Sequence, residues 1–162
     1  TALILLVLVP IGVYLTWGYG KKQIHALVHR YRSGLPYRRL NRGLRQLQSE
    51  IHEIDGRRYY IRLTELARVY LSRRSSVGFV SATTGELPTL LEHIALTPED
   101  EESLMDMFRA GDLAKFANQH ISLEQRKNHA EALHRIARAI QRSHREGARE
   151  LKKTRRVKRV GT

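Results

Sequence analysis

Hydrophobic and polar positions are arranged differently in successive parts of this 162-residue chain, and each pattern predicts a different element. From Ala2 to Tyr19 no residue is charged and almost all are apolar. An apolar stretch of about 20 residues can cross a hydrocarbon core as a helix, so residues 1–20 are read as a transmembrane span. Leu, Ile and Val cover every side of it, whereas a helix at a globular surface keeps a polar side. Between Tyr37 and Ile54 the pattern changes. Leu40, Leu44, Leu47, Ile51 and Ile54 recur at steps of four and three, an apolar seam on an otherwise polar helix. The seam either packs on its own domain or pairs with a second chain as an oligomer contact. Arg57 to Arg74 resumes helical spacing, with Tyr59, Tyr60, Leu63, Leu66, Ala67, Tyr70 and Leu71 on one broad face that reads as core.

Polar residues punctuate these elements. Gly34-Leu-Pro36 and Asp55-Gly56 break helices, and Ser75 to Gly78 ends the one between them and Phe79. Thr83-Thr84-Gly85-Glu86 has the form of a capping box, which predicts a helix of about ten residues starting there. Thr97, Pro98 and the acids Glu99 to Glu102 form a second start signal, with hydroxyl cap, proline and negative charge all at the positive end of the helix dipole. Gly111 allows a turn, and Asp112 can cap a short segment from Leu113 to Phe116. Ser122 caps a last long helix with Leu123, Ala130, Leu133, Ala137 and Ile140 inward. Arg126, Lys127, Arg135, Arg138, Arg142 and Arg145 are mostly outward. Beyond Gly147, the run from Lys152 to Arg159 offers almost nothing to bury and is read as a disordered polybasic tail. With no repeat and no convincing strand, the fold class is all-α. The predicted order is a transmembrane helix (1–20), basic juxtamembrane helices (21–55), a small helical cytoplasmic domain (56–146) and the tail (147–162).

Charge sets the orientation. The net charge is +13, and residues 21–58 carry ten Lys/Arg against three acids, 59–120 six against nine, and 121–162 thirteen against four. Lys21, Lys22, Arg30 and Arg32 follow the apolar run, and basic segments stay on the cytoplasmic side. Trp17 and Tyr19 gather at the same boundary, where an aromatic ring keeps its body in lipid and its polar edge among headgroups. These six residues are the expected membrane interface of a single-pass protein with its N-terminus on the far, periplasmic side and its bulk cytoplasmic. A cleaved signal peptide is the competing reading, but no basic stretch precedes the run and Thr-Trp-Gly-Tyr-Gly is a poor cleavage site. The opening on Thr1 is read as a segment of a longer precursor. Basic flanks beside a membrane fit anionic phospholipid as a partner, and the acidic centre counts against nucleic acid.

Motifs of catalysis are missing from the pattern. The chain has no cysteine, which excludes thiolate metal sites and cysteine nucleophiles. His25 and His29 share a helical face without a carboxylate to complete a zinc site. Gly18-Tyr-Gly-Lys-Lys22 lacks the first glycine of a phosphate loop, that position being Leu15. No Gly-x-Ser-x-Gly elbow is present. No catalytic, cofactor or metal residue is expected, and the chain is read as a non-enzyme.

Three stretches carry a family resemblance: Tyr60 to Arg74, Thr83-Thr-Gly-Glu-Leu87, and Phe108-Arg-Ala-Gly-Asp-Leu-Ala-Lys-Phe-Ala117 followed by the helix from Ser122. Together they resemble the cytoplasmic domain of bacterial single-pass membrane proteins encoded beside MoxR-type AAA+ ATPases and von Willebrand factor A domain proteins in Bat-type, aerotolerance operons. The resemblance spans about half the chain. It implies that the membrane is a bacterial inner membrane and the chain a membrane-anchored adaptor or scaffold with those two proteins as partners, and it marks Thr83, Thr84, Glu86, Asp112, Leu113, Lys115 and Phe116 as candidate docking residues. On the residues alone the same positions read first as helix caps and one aromatic anchor. The alternative function is a membrane-anchored nucleic-acid-binding regulator with a winged-helix-like domain.

Overall fold

The computed structural model describes residues 34–75 and 77–160, with side chains through Leu151. The chain divides into two units, Thr1–Leu35 and Pro36–Thr162, and the second is described here. The predicted span and its interface residues Trp17, Tyr19, Lys21, Lys22, Arg30 and Arg32 lie outside the described residues. Among the described residues no helix is long and apolar enough to cross a membrane.

All regular structure among them is helical: α1 over 34–49, α2 Gly56–Ser75, α3 Leu87–Leu91, α4 Pro98–Phe116 and α5 Leu123–Val160. The seam of α1 is internal. Leu40, Leu44, Leu47 and Ile51 are buried in the chain's own core, so its covering face is supplied by the domain rather than by a second copy. The helix itself stops at residue 49, and Ile51 and Ile54 follow in turns. Asp55 opens α2 by accepting from the Arg58 amide at 2.8 Å, the side-chain cap that its position before Gly56 supports.

Three tyrosines on α2 join it to α5. Tyr59 donates to the Arg126 carbonyl at 2.8 Å, Tyr70 to the Ala137 carbonyl at 2.8 Å, and the Tyr60 hydroxyl lies 2.7 Å from His129 Nδ1. The rings are buried as the pattern of α2 predicts, and the hydroxyls point into the core as well. Burial pushes the Tyr59 phenol up to about 12 against the opposing pull of Arg126. It also raises Tyr60, with Tyr59 and Asp106 adding to the effect, and it raises Tyr70. An unfolded tyrosine ionises near pH 10. Above that value the unfolded chain releases protons that the folded chain retains, so stability is intact below about pH 10 and falls as pH rises toward 12. Thermal melts across this range should therefore show a steep alkaline loss, with phenolate absorbance from these tyrosines appearing together with unfolding.

α2 and α4 run antiparallel: Arg68 faces Phe108, and Thr64 faces Gly111 and Lys115. Gly111 is no turn. α4 passes through it without interruption, because a Cβ there would stand 2.8 Å from Thr64 Cγ2 and glycine lets the helices close. Asp112 consequently caps nothing and lies within the helix. Gly43 is a different case. A Cβ there would meet both methyls of the half-buried Leu66, Cδ2 at 2.5 Å and Cδ1 at 2.9 Å, the far end of a flexible side chain at the margin of the core that has to re-orient. Gly43→Ala should therefore be tolerated, with a gain of up to about 1 kcal/mol from helix propensity, measurable by thermal melting.

The caps at Thr97 and Ser122 form as the sequence predicts, accepting from the Asp100 and Gln125 amides at 3.2 Å each. The box at Thr83 forms only in part. Glu86 accepts from the Thr83 amide at 2.7 Å and from its hydroxyl at 2.9 Å, so the hydroxyl donates to the carboxylate instead of accepting from the N3 amide. The segment closes a turn, and α3 starts later, at Leu87, and spans five residues rather than the longer helix expected. Pro88 lacks the N–H that would continue a helix begun at Thr83, and it sits where a helix tolerates proline, in its first turn.

Two expectations for α5 are corrected. Arg126 is buried, turning its guanidinium to the carbonyls of Ile121 and Ile54, both at 3.2 Å. The chain beyond Gly147 is not a disordered tail: α5 continues unbroken to Val160, 38 residues or about 57 Å. Its last buried residue is Gln141, and His144 Nε2 still lies 3.3 Å from the Arg74 carbonyl at the end of α2. From Arg142 to Leu151 every residue is exposed.

Candidate docking site at the end of α4

The last turns of α4 carry four of the candidate residues. Leu113 is 44% exposed and Phe116 84%, the most exposed large apolar side chain among the described residues. Between them Lys115 turns inward and donates to Thr64 Oγ1 at 2.8 Å. Burial lowers its pKa, Asp112 opposes that shift, and Arg68 adds to it. Lys115 is thus a strut between α4 and α2, not part of an exposed epitope. Thr64 is itself fixed, because its hydroxyl donates to the Tyr60 carbonyl at 2.7 Å.

The helix ends sharply below this patch. Asn118 has φ 49°, the left-handed conformation that asparagine adopts more readily than most residues. This bend lets the amides of Ala117 and Gln119 both reach the Leu113 carbonyl, at 3.0 and 3.2 Å. Phe116 therefore stands on a tied helix end, with little freedom to fold back onto the surface.

Thr83, Thr84 and Glu86 belong to the loop that precedes α3. Their link to the α4 set is Arg68. It donates to the carbonyls of Phe79, at 3.0 Å, and Ala82, and its guanidinium lies 5.0 Å from the Phe108 ring centroid. Burial lowers its pKa, and the negative charge of Asp112 opposes this. Backbone and hydroxyl bonds from Thr83 hold the Glu86 carboxylate below the usual carboxylate range. Thr83 and Glu86 satisfy each other, which leaves them the structural role that their spacing suggests. The apolar pair Leu113 and Phe116 is what remains open to a partner.

Three polar residues that tie the fold together escaped the reading of the sequence: Arg68, Arg126 and His129. His129 is buried between the Tyr60 hydroxyl and Asp106, whose Oδ2 lies 3.1 Å from Nε2. Asp106 as acceptor places the ring proton on Nε2, and Tyr60 then donates to Nδ1, so both ring nitrogens and the Tyr60 hydroxyl are satisfied. The signal was positional. Residues 126 and 129 fall on the same helical stripe as Ala130, Leu133, Ala137 and Ile140, and a polar residue on a buried stripe needs a partner.

Among the described residues no group of three His, Cys, Asp or Glu is placed to hold a metal ion. Comparison with known proteins finds no matching family model, no matching curated protein and no matching solved structure.

Proposed function

We propose that this chain is a membrane-tethered, non-catalytic helical adaptor that captures a protein partner on the Leu113–Phe116 patch. The observation that carries the reading is Phe116. An aromatic side chain 84% exposed, on a helix end whose backbone is fixed by the Lys115 strut and the Asn118 bend, is an apolar anchor open to a partner. The tether is the uncharged run Ala2–Tyr19. The resemblance in Tyr60–Arg74, Thr83–Leu87 and Phe108–Ala117 supports a MoxR-type AAA+ ATPase or a von Willebrand factor A domain protein as the partner, and a bacterial inner membrane as the location. The nucleic-acid alternative has one observation in its favour, the helical continuation of the basic segment to Val160. Its winged-helix form draws no support from the described residues, which contain no strand.

A detergent pull-down of the full chain from native membranes tests the reading. Phe116→Ala and Leu113→Ser are expected to leave the melting temperature nearly unchanged, because exposed positions contribute within about 0.5 kcal/mol. Both should release the partner. Undiminished capture by Phe116→Ala would remove the patch from the proposal, and recovery of nucleic acid alone would favour the alternative.

A further inference from the structure

We infer that an exposed arginine ladder on α5 is a docking surface for an anionic lipid bilayer; the inference rests on the membrane side of the adaptor reading and deepens it. Arg138, Arg142, Arg145 and Arg149 are all exposed and recur at steps of four, three and four. That spacing keeps them on one side of the helix, about 5 Å apart along its axis. None of the four makes an ion pair among the described residues, whereas Arg135, one turn earlier, meets Asp100 at 3.3 Å. The ladder begins where the acids of α4 end. The helical register carries positions 152 and 156 onto the same side, and from 142 to 160 the sequence holds nine Lys/Arg against Glu146 and Glu150.

An unneutralised row of this length on a helix that leaves the core calls for a polyanion. A second copy of the chain would set two such rows against each other, and like charge opposes that. The position of the ladder favours a bilayer over nucleic acid. α1 and α5 run in opposite directions, with Tyr37 stacked on His134 at 6.3 Å and Leu44 and Gln48 beside Ala130 and Glu131. The ladder thus leaves the bundle at the end where Pro36 joins the chain that follows the uncharged run Ala2–Tyr19. The exposed Arg39 and Arg42 of α1 add charge near that end. The polyanionic surface open to a chain that also carries an apolar run is a headgroup layer, and each basic residue held close to one strengthens the association roughly fivefold.

The full chain has no cysteine, so Glu146→Cys, exposed beside the ladder, accepts a single fluorescent label. Its quenching by headgroup-attached nitroxide is read with vesicles of phosphatidylcholine alone and of phosphatidylcholine mixed with phosphatidylglycerol. Stronger quenching is expected with the anionic vesicles, declining as salt screens the surface. It should be lost in Arg138→Gln/Arg142→Gln/Arg145→Gln/Arg149→Gln and kept when the same four become lysine, because a diffuse headgroup layer accepts a point charge as well as a guanidinium fork. Circular dichroism checks that both variants keep α5; if the glutamine variant loses helix, the salt series and the lysine variant still decide. Equal quenching by the two vesicle types, or quenching indifferent to salt, overturns the inference. So does a label that ignores both vesicles and responds to a DNA duplex. The difference between vesicle types reads the ladder whether or not the apolar run inserts. Failure here with Phe116→Ala still releasing its partner would remove the lipid contact and leave the adaptor standing.

Discussion

Replacing Arg126 with methionine is expected to destabilise the domain by about 3–6 kcal/mol, since charge-assisted hydrogen bonds contribute roughly 1.5–3 kcal/mol each and two are lost. Its guanidinium is the common partner of two loop ends, Ile54 before α2 and Ile121 before α5, and it lies 5.8 Å from the Tyr59 ring centroid. Methionine can fill the volume but leaves two carbonyls without their donor in a site where the arginine is only 7% exposed. Arg126→Lys should fall between the two, as a single ammonium reaches one carbonyl more easily than both. Urea denaturation of these variants beside Arg138→Met, on the exposed ladder, separates the role of position from that of residue type. The exposed substitution should change stability by no more than about 0.5 kcal/mol.

Gly111→Ala is the second large effect, and its sign runs against helix propensity. Alanine in a helix interior is favoured over glycine by about 1 kcal/mol, yet here the added methyl enters the 2.8 Å gap to Thr64 Cγ2. Thr64 cannot turn aside freely, because its hydroxyl is held by the Tyr60 carbonyl and by Lys115 Nζ. Overpacking of this kind costs about 1–3 kcal/mol, so a net loss is expected. Thr64→Ser removes the obstructing methyl and keeps the hydroxyl. The double variant should recover most of the loss, and a thermodynamic cycle over the four proteins measures the coupling. Additive losses would show that the two residues do not obstruct each other.

The contrast between these sites and the correctly read ones shows where sequence reasoning succeeds. Thr97 and Ser122 were legible because a cap is a local device: hydroxyl, amide and helix start lie within four residues of one another. The α1 seam and the aromatic face of α2 were legible because periodicity reports burial directly. Gly111 was misread because the reason for glycine there is Thr64, 47 positions away in the chain. Arg126 was misread, and His129 passed over, because residue type was weighed above position on the stripe. Thr83 and Glu86 did find each other, but proline at 88 moved the helix start past them. Of the docking residues, the sequence separated neither Lys115, which is a strut, from Phe116, which is exposed, nor Thr83 and Glu86, which satisfy each other.

The unbroken run of α5 from the core to Val160 also fixes an angle. A flexible tail could turn its charges toward any surface, but a continuous helix behaves as a torsionally stiff shaft whose rotation is set by Ala130, Leu133, Ala137 and Ile140 seated in the core. Whatever the far half of the shaft lies against, the bundle must rotate with it. Phe116 would then be presented in one fixed direction rather than searched through many, so that a partner meets it with the orientation already chosen.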